Sequence, residues 1–240
     1  MADKPVKPIA VVVGVGAGLG AALARRFAEG YRVAMIARKR ELLDALAAEI
    51  KGRGADALAL QANVADAAEI ERAFASIRRD FGRVEVLLYN AAMRPFGRLM
   101  ETKPSTFENA WRVNAFGAFL CSREVVPAML EAGRGAIIFT GATAGVKPFA
   151  TSAAFGPAKF ALRGLAQVMA RDLGPKGVHV AYVNIDGPID MPFIRQMRPD
   201  AKEEDLLKPA AIADAYWHLA HQDRSAWTQE IDLRPFKENF

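Results

Sequence analysis

A glycine-rich turn follows the first apolar segment of the chain and opens its first helical segment. The turn contains Gly14, Gly16, Gly18 and Gly20, with Leu19 among the first helical residues. Glycines at such a turn permit a tight bend and a close approach of the backbone to a pyrophosphate, which the helix N-terminus then faces. Because the turn lies between a strand pattern and a helix pattern, it predicts a dinucleotide site rather than a turn without a ligand.

A basic cluster ends the second apolar segment, at the position that discriminates between nucleotides. Sites selective for NAD usually place an acidic side chain there, which binds the ribose 2′-hydroxyl. Here the position is Ala37, and the next residue is Arg38, whose planar guanidinium suits a 2′-phosphate. The pattern favours NADP(H) over NAD(H), the alternative being a basic cluster that faces only water.

The segments that position these residues alternate between two periodicities. Runs rich in valine and isoleucine are separated by longer segments of helical period, which is typical of a doubly wound parallel sheet. The predicted strands are Ile9–Val13, Arg32–Ala37, Ala57–Gln61, Val84–Tyr89, Gly135–Thr140, Val178–Asn184 and Glu230–Leu233. The predicted helical segments include Leu19–Glu29, Glu41–Lys51, Asp66–Phe81, Ser105–Leu130 and Ser152–Leu173. We therefore predict an α/β Rossmann fold with a seven-stranded parallel sheet, forming one domain over residues 1–240.

Composition and charge narrow the class of partner. The formal net charge is +5, and residues 1–53 hold ten basic and five acidic side chains, so the whole excess lies beside the glycine turn. This distribution fits a bound polyphosphate better than a nucleic acid. No apolar run reaches the roughly 18 residues of a membrane span, and residues 1–5 carry no signal-peptide pattern. The single cysteine, Cys121, cannot form an internal disulfide, so a cytoplasmic location fits best.

Further motifs stand at the ends of the later predicted strands. The turn glycines fit a TGxxxGxG pattern at Gly14, Gly18 and Gly20, with Val13 in place of threonine. With these motifs the chain resembles the short-chain dehydrogenase/reductase family over nearly its whole length. The resemblance implies a nicotinamide-dependent oxidoreductase. It assigns Asn114 as the helix asparagine of the catalytic set. It also assigns cofactor contacts to Asn63 with Val64, Asn90 with Ala91, Gly187 and Ile189.

The catalytic part of this resemblance is incomplete. The family's YxxxK motif has Phe155 in place of the tyrosine, with Lys159 retained, and Ala142 stands where the family serine belongs. In the family, the tyrosine protonates the substrate oxygen, the serine hydrogen-bonds to it, and the lysine binds the nicotinamide ribose and lowers the pKa of the tyrosine. A subgroup with phenylalanine at this position and the lysine retained is known, and the chain resembles it. Asn114 and Lys159 therefore remain as catalytic candidates, beside the degenerate positions.

The loss of both hydroxyls changes the expected chemistry. A positioned general acid contributes about 10²–10⁴ in rate, and an oxyanion donor on the order of 10²–10³. Thr143, Thr151 and Ser152 are weak substitutes, the last two predicted to start the following helix, and Lys159 could relay a proton through water. Three hypotheses remain: an NADPH-dependent reductase of an acceptor that needs little acid, a non-catalytic NADP(H)-binding sensor or partner subunit, and a weak alcohol/ketone dehydrogenase with a surrogate acid.

The remaining features concern the substrate and the partners. We interpret residues 189–208, with two prolines and an acidic run, as a lid over the site. Apolar loop residues predict an apolar small-molecule substrate, or else lid and core packing: Met93, Phe96, Phe149, Met191, Phe193 and Met197. His218 and His221 lie three apart on a probable helix, but no further ligand supports a metal site. The resemblance also implies a homodimer or homotetramer, paired through Ser105–Leu130 and Ser152–Leu173.

Overall fold

The centre of the fold is a sheet of seven strands that all run parallel. The strands are β1 Ile9–Val13, β2 Arg32–Ala37, β3 Ala57–Gln61, β4 Val84–Tyr89, β5 Gly135–Thr140, β6 Val178–Ile185 and β7 Glu230–Leu233. In this computed structural model, which describes residues 7–238, the strand order is β3-β2-β1-β4-β5-β6-β7. The order reverses between β1 and β4, and ligands of such sheets bind outside the carboxyl ends of the strands at that point.

Helices cover both faces of the sheet. They are α1 Leu19–Ala28, α2 Arg40–Gly52, α3 Ala67–Asp80, α4 Pro104–Trp111, α5 Gly117–Glu131, α6 Phe155–Leu173, α7 Pro192–Met197 and α8 Pro209–Ala220. Buried side chains of α1, α2 and α8 form one core cluster, and those of α3, α5 and α6 form a second cluster on the opposite face. The predicted α/β fold with a doubly wound parallel sheet is therefore confirmed.

Burial on both faces explains why the inner strands consist mainly of apolar residues. Every residue of β1 and of β6 is buried, as expected for parallel strands covered by helices on both sides. β6 reaches Ile185, one residue beyond the predicted segment. This burial places the polar residues that follow each strand together at one edge of the sheet.

The predicted helical segment Ser105–Leu130 is interrupted in the structure. α4 and α5 are separated by a wider, π-helical turn over Arg112–Phe116. Two contacts from the sheet accompany this turn: the Tyr89 hydroxyl donates to the Val113 carbonyl, and Gly117 lies so close that a β-carbon there would collide with the same hydroxyl. Such turns are frequent at functional sites, and this one contains Asn114.

The helix of Phe155 begins later than predicted. Thr151 and Ser152 lie before α6, because the Gly97 amide donates to the Thr151 carbonyl over 2.8 Å and Ser152 forms a parallel bridge with Gly97. The prediction that these two residues start the helix is therefore wrong. Phe155 becomes the first residue of α6, with its side chain one turn before Lys159.

Residues 189–208 lie between β6 and α8 and contain α7. Their ends are joined by hydrogen bonds of 2.8 Å from the Asp190 amide to the Leu207 carbonyl and from the Leu207 amide to the Pro188 carbonyl. A two-pronged ion pair from Arg195 to Asp190 closes the segment further. The segment is thus a loop whose two ends are hydrogen-bonded to each other after β6. Its role as a lid stays a prediction.

Two sequence-based expectations concern other parts of the chain. The absence of a signal-peptide pattern was expected over residues 1–5, which lie outside the described residues. Among residues 7–238, no helix is both long enough and apolar enough to span a bilayer.

Candidate active site

The glycine turn is formed by contact with the end of β4. Gly14 has φ +90°, and a β-carbon there would collide with the backbone of Ala91, so this position requires glycine. The Asn90 amide nitrogen Nδ2 donates to the Gly14 carbonyl over 2.9 Å, and its backbone amide donates to the Val13 carbonyl over 2.8 Å. The predicted residues Gly14, Asn90 and Ala91 therefore lie together at the sheet edge.

The rest of the turn leaves room for a pyrophosphate. α1 begins at Leu19, directly after Gly18, so its first backbone N–H groups have no partner within the helix. A β-carbon built on Gly16 would meet no atom within 4 Å, so this glycine faces open space. A β-carbon on Gly20 would lie 2.6 Å from the Gly14 carbonyl oxygen, which explains the close packing of helix on turn. These residues fit the phosphates of a dinucleotide.

Met191 makes a contact with this turn that the sequence did not reveal. Its sulfur lies where a β-carbon of Gly18 would stand, so the loop after β6 rests directly on the glycine turn. The sequence indicated Met191 only as one of several apolar loop residues, which does not reveal this contact. The contact links residues 189–208 to the predicted cofactor site.

A cleft at the ends of β2 and β3 lies beside the glycine turn. It has a volume of about 530 Å³ and is lined by Arg38, Leu60, Gln61, Ala62, Asn63, Glu69, Arg72, Ala73 and Ser76. Asn63 Oδ1 accepts from the Ala65 amide over 3.2 Å and has a second lone pair for a ligand. Val64 is buried behind it. The cleft is large enough for the adenosine end of a dinucleotide.

Arg38 and Arg72 are the two exposed cations that line this cleft, and Arg38 is the one that follows β2. Gln61 Nε2 donates to its carbonyl over 3.0 Å, which fixes the backbone of the loop. Within the part of the chain that the structure describes, no carboxylate pairs with the Arg38 side chain, whereas Arg40 is bonded to Asp44 over 2.8 Å. The Arg38 guanidinium is therefore available to an anion in the cleft.

Lys159 is buried at the opposite end of the site. Only 2% of the residue is exposed, and its Nζ donates to the Thr140 carbonyl, at the end of β5, over 2.7 Å. Burial penalises the charged form and lowers the pKa of Lys159 to about 7. The same threonine accepts a hydrogen bond of 2.8 Å at its Oγ1 from the Tyr216 hydroxyl, which the sequence did not single out.

Asn114 lies on the π-helical turn that packs against α6. It is fully buried, and its Nδ2 donates to the carbonyls of Met93 and Ala110 over 2.8 and 2.9 Å. Ala110, Ala154 and Ala158 form a small cluster that brings α4 against the start of α6. The fold thus brings the elements of Asn114 and Lys159 together, and Asn114 holds the loop after β4 in place.

The two degenerate positions lie beside Lys159. The Lys159 Nζ is 5.7 Å from the centre of the Phe155 ring, and Phe155 is 6% exposed. Ala142 precedes the short turn Thr143–Gly145, where a β-carbon on Gly145 would lie 3.3 Å from the Lys159 β-carbon. Neither side chain has a proton to donate, so these two positions supply neither an acid nor a hydroxyl donor near Lys159.

The proposed substitute hydroxyls have other partners. Thr143 Oγ1 is 3.5 Å from the Ile185 carbonyl, which is a long contact. Ser152 Oγ donates to the Phe149 carbonyl over 2.6 Å and is buried. Thr151 is exposed and lies before the helix. The geometry therefore gives no direct support to a surrogate acid among these three residues.

The end of β6 supplies the last predicted residues and one that was missed. Gly187 has φ +150°, and a β-carbon there would lie 2.7 Å from Pro235 Cδ. Ile189 forms a parallel bridge with Leu207 at the base of the loop. Asp186 is buried, with its Oδ2 3.1 Å from Arg234 Nε and 3.6 Å from Lys147 Nζ. An acid directly after a strand that is buried along its whole length was the signal for this ion cluster.

Of the two histidines that lie three residues apart, His221 contacts aromatic and polar neighbours. His221, just past the end of α8, lies 3.0 Å from the Tyr31 hydroxyl through Nε2 and 2.7 Å from the Trp217 carbonyl through Nδ1. His218 is exposed on α8. Hydrogen bonding therefore accounts for both ring nitrogens of His221.

The comparison with protein families decides the identity of the fold. A model of the short chain dehydrogenase family matches residues 8–202. The chain belongs to this family. Its members are oxidoreductases that bind nicotinamide cofactors and act on small molecules, so the resemblance inferred from the motifs is confirmed at this level.

Known relatives match over most of the chain. Versicolorin reductase 1 of Aspergillus parasiticus is 36% identical over 178 residues, which cover 73% of this chain and 67% of that protein. The crystal structure of a short-chain dehydrogenase from Rhodopseudomonas palustris is 35% identical, with a TM-score of 0.84 and coverage of 97% of this chain and 100% of that one. A metagenomic short-chain oxidoreductase in complex with NADP is 30% identical, with a TM-score of 0.84 and coverage of 97% and 99%.

The burial of Lys159 predicts a pH dependence of folding stability. Between about pH 7 and pH 10 the unfolded lysine carries a proton that the folded one lacks, so stability should rise with pH in this window. The contribution of this one group is at most about 1.4 kcal/mol per pH unit. Urea denaturation at pH 7.5 and 9.5 measures it.

The control for this prediction is Lys159→Met, which keeps an apolar chain of similar length. The free energy of unfolding of the wild-type protein should increase more between the two pH values than that of the variant, since other titrating groups cancel in the comparison. An equal change in the two proteins would contradict the lowered pKa.

Proposed function

We propose that this chain is an NADP(H)-dependent oxidoreductase that transfers hydride to a small acceptor needing little acid assistance. The observation that carries the proposal is the buried Lys159 beside Phe155: the lysine is retained, and both hydroxyl positions, Phe155 and Ala142, are apolar. A screen of NADPH oxidation across acceptor classes tests it, with simple ketones expected to react far more slowly than electron-poor alkenes, quinones or flavins. Normal NADPH binding without turnover of any class would favour a non-catalytic role.

The preference for NADP(H) is supported by charge at the adenosine end. Arg38 faces the cleft without a carboxylate partner among residues 7–238, and the position before it, Ala37, has no acid to bind a ribose 2′-hydroxyl. The likeness to the metagenomic oxidoreductase in complex with NADP supports the same choice. We therefore infer that a guanidinium–phosphate pair selects the cofactor.

The chain's own residues divide the work between binding and positioning. The nicotinamide supplies the hydride when it is bound. The Lys159 ammonium can turn from the Thr140 carbonyl to the cofactor ribose, and Asn114 holds the Met93 carbonyl beside the site. Because Phe155 cannot protonate an oxygen, the acceptor must stabilise negative charge itself and take its proton from solvent. Electron-poor alkenes, quinones and flavins satisfy this condition.

Apolar side chains around the site support an apolar body for the acceptor. Phe96, Phe149, Phe193 and Met197 are all more than half exposed, the first two on loops and the last two on α7, where the sequence had predicted loop positions. Burying such side chains against a ligand is favourable, at about 25 cal/mol per Å² of apolar surface. We infer that residues 189–208 close over the acceptor, with Met191 on the glycine turn as their point of contact.

Exposed aromatic side chains on α4–α6 support an assembly of identical subunits. Trp111 stacks on Phe116 with ring centres 5.4 Å apart, and Phe116 is 6.4 Å from Phe119. Phe160 adds an exposed ring on α6. Such contiguous apolar surface marks an interface, so we infer a homodimer or homotetramer built on these helices.

The cofactor assignment predicts a selective effect at Arg38. Arg38→Ala should weaken NADPH binding by about 1–3 kcal/mol, the range for hydrogen bonds to charged groups, and leave NADH binding nearly unchanged. Wild-type protein should bind NADPH at least about tenfold more tightly than NADH. Fluorescence titration measures both, with Lys39→Ala as the neighbouring control. Equal affinities of the wild type for the two cofactors would refute the assignment.

The missing hydroxyls predict that catalysis can be restored. Phe155→Tyr with Ala142→Ser should raise NADPH-dependent reduction of an activated ketone on the order of 10²-fold. The new phenol would lie one helical turn from Lys159, whose positive charge lowers a phenol pKa. Steady-state kinetics should compare the wild type, both single variants, the double variant and the double variant with Lys159→Ala.

The outcomes of this series separate the hypotheses. The triple variant should lose most of the gain, because the lysine no longer assists the phenol. A wild-type rate equal to that of the double variant would mean that a surrogate acid exists. Normal cofactor binding with no ketone reduced by the double variant would mean that the site has lost more than two hydroxyls.

The assembly predicts a mass change from one surface substitution. Phe119→Glu places a charge among the stacked rings and should shift the particle to a smaller mass at micromolar concentration, measured by light scattering. Phe236→Glu, at an exposed phenylalanine outside these helices, is the matched control and should keep the mass of the wild type. A monomeric wild type would refute the assembly.

A further inference from the structure

The loop after β4 carries a second cation near the site, Arg94. The loop is fixed at its start, where Asn90 bonds to Gly14, and at Met93, whose carbonyl accepts from Asn114 over 2.8 Å. It is fixed again three residues later, where Gly97 pairs with the segment before α6. Arg94 therefore lies in the loop between Met93, which is bonded to Asn114, and Gly97, which pairs with the segment before Phe155.

The guanidinium of Arg94 has an aromatic partner and no acidic one. Its Cζ lies 4.9 Å from the centre of the Phe96 ring. Within residues 7–238 no carboxylate pairs with it, although Arg25, Arg79 and Arg195 each bind one. Those three have a raised pKa because of their carboxylates, whereas burial lowers the pKa of Arg94. Arg94 is thus an accessible cation with an aromatic neighbour and, among residues 7–238, without a carboxylate partner.

The surroundings of this cation are apolar and open to a ligand. Phe96 and Phe149, on the two paired segments, are 62% and 60% exposed, and the Arg94 residue itself remains accessible. An anion brought here would meet a planar fork of donors beside two exposed aromatic rings, and charge-assisted hydrogen bonds from such a fork are strong. An apolar ligand without an anion would leave the guanidinium unpaired at additional cost.

We propose that Arg94 is a specificity-determining residue that binds a carboxylate on an otherwise apolar acceptor. This inference rests on the proposed function, since it names the substrate class of the same site. It predicts that the acceptor is amphiphilic, with an aromatic or aliphatic body against the phenylalanine rings and a carboxylate on the guanidinium. Electron-poor alkenoic acids meet both this condition and the need for little acid assistance.

A binding experiment tests the proposal without requiring turnover. Calorimetric titration of the NADP⁺-loaded protein should give at least about tenfold tighter binding for 4-phenylbutanoate than for 4-phenylbutanamide, which has the same body without the charge. Arg94→Gln should remove this difference, and Arg94→Lys should retain part of it because the charge remains. Arg98→Gln, a matched loss of charge on the same loop, should leave the wild-type difference intact.

A turnover experiment with an electron-poor alkene pair complements the binding data. The ratio of kcat/KM for 4-oxo-4-phenylbut-2-enoate to that for its methyl ester should fall about tenfold or more in Arg94→Gln, with the Kd of NADPH unchanged. Equal binding of acid and amide to the wild type, no binding of either, or an equal effect of Arg98→Gln would overturn the role of Arg94. Acid-selective binding without turnover would overturn the hydride-transfer function and leave the role of Arg94 standing.

Discussion

The hydrogen bond from the Lys159 ammonium to the Thr140 carbonyl connects α6 to the carboxyl end of β5. A buried ammonium needs an acceptor, and the strand end provides one only where the regular pairing stops. Tyr216 bonds to the hydroxyl of the same threonine from α8, on the other face of the sheet. The position of Lys159 is therefore tied to both layers of helices.

The strands could be predicted closely because most of them are short runs dominated by apolar residues, and β1, which is buried along its whole length, is apolar throughout. The helices were less predictable where contacts distant in sequence decide their ends. The π-helical turn at Asn114 depends on Tyr89, which is 24 residues away from its bonded partner Val113. The late start of α6 depends on Gly97, which pairs with Ser152. The local periodicity of the sequence gives no information about either contact.

The candidate site likewise contains residues that could be predicted from the sequence and residues that could not. The glycine turn, Arg38 and Lys159 could be proposed from residue type and spacing, since their chemistry is carried by short motifs. The contact of Met191 with Gly18, the burial of Asp186 against Arg234, and the unpaired Arg94 depend on which loops meet at the sheet edge. A substitution pattern can show that a family position has changed, but only the fold shows what the new side chain touches.

The dependence of the glycine turn on Asn90 has a consequence for the order of folding. The two residues joined by the Asn90–Gly14 hydrogen bond are 76 positions apart. β1 pairs with β2 and with β4, and the second pairing must close a long chain loop before its contacts compensate the lost entropy. During synthesis, a nascent chain that ends before Asn90 contains the whole glycine motif but not its geometry. Nucleotide recognition therefore arises only after β4 has joined the sheet.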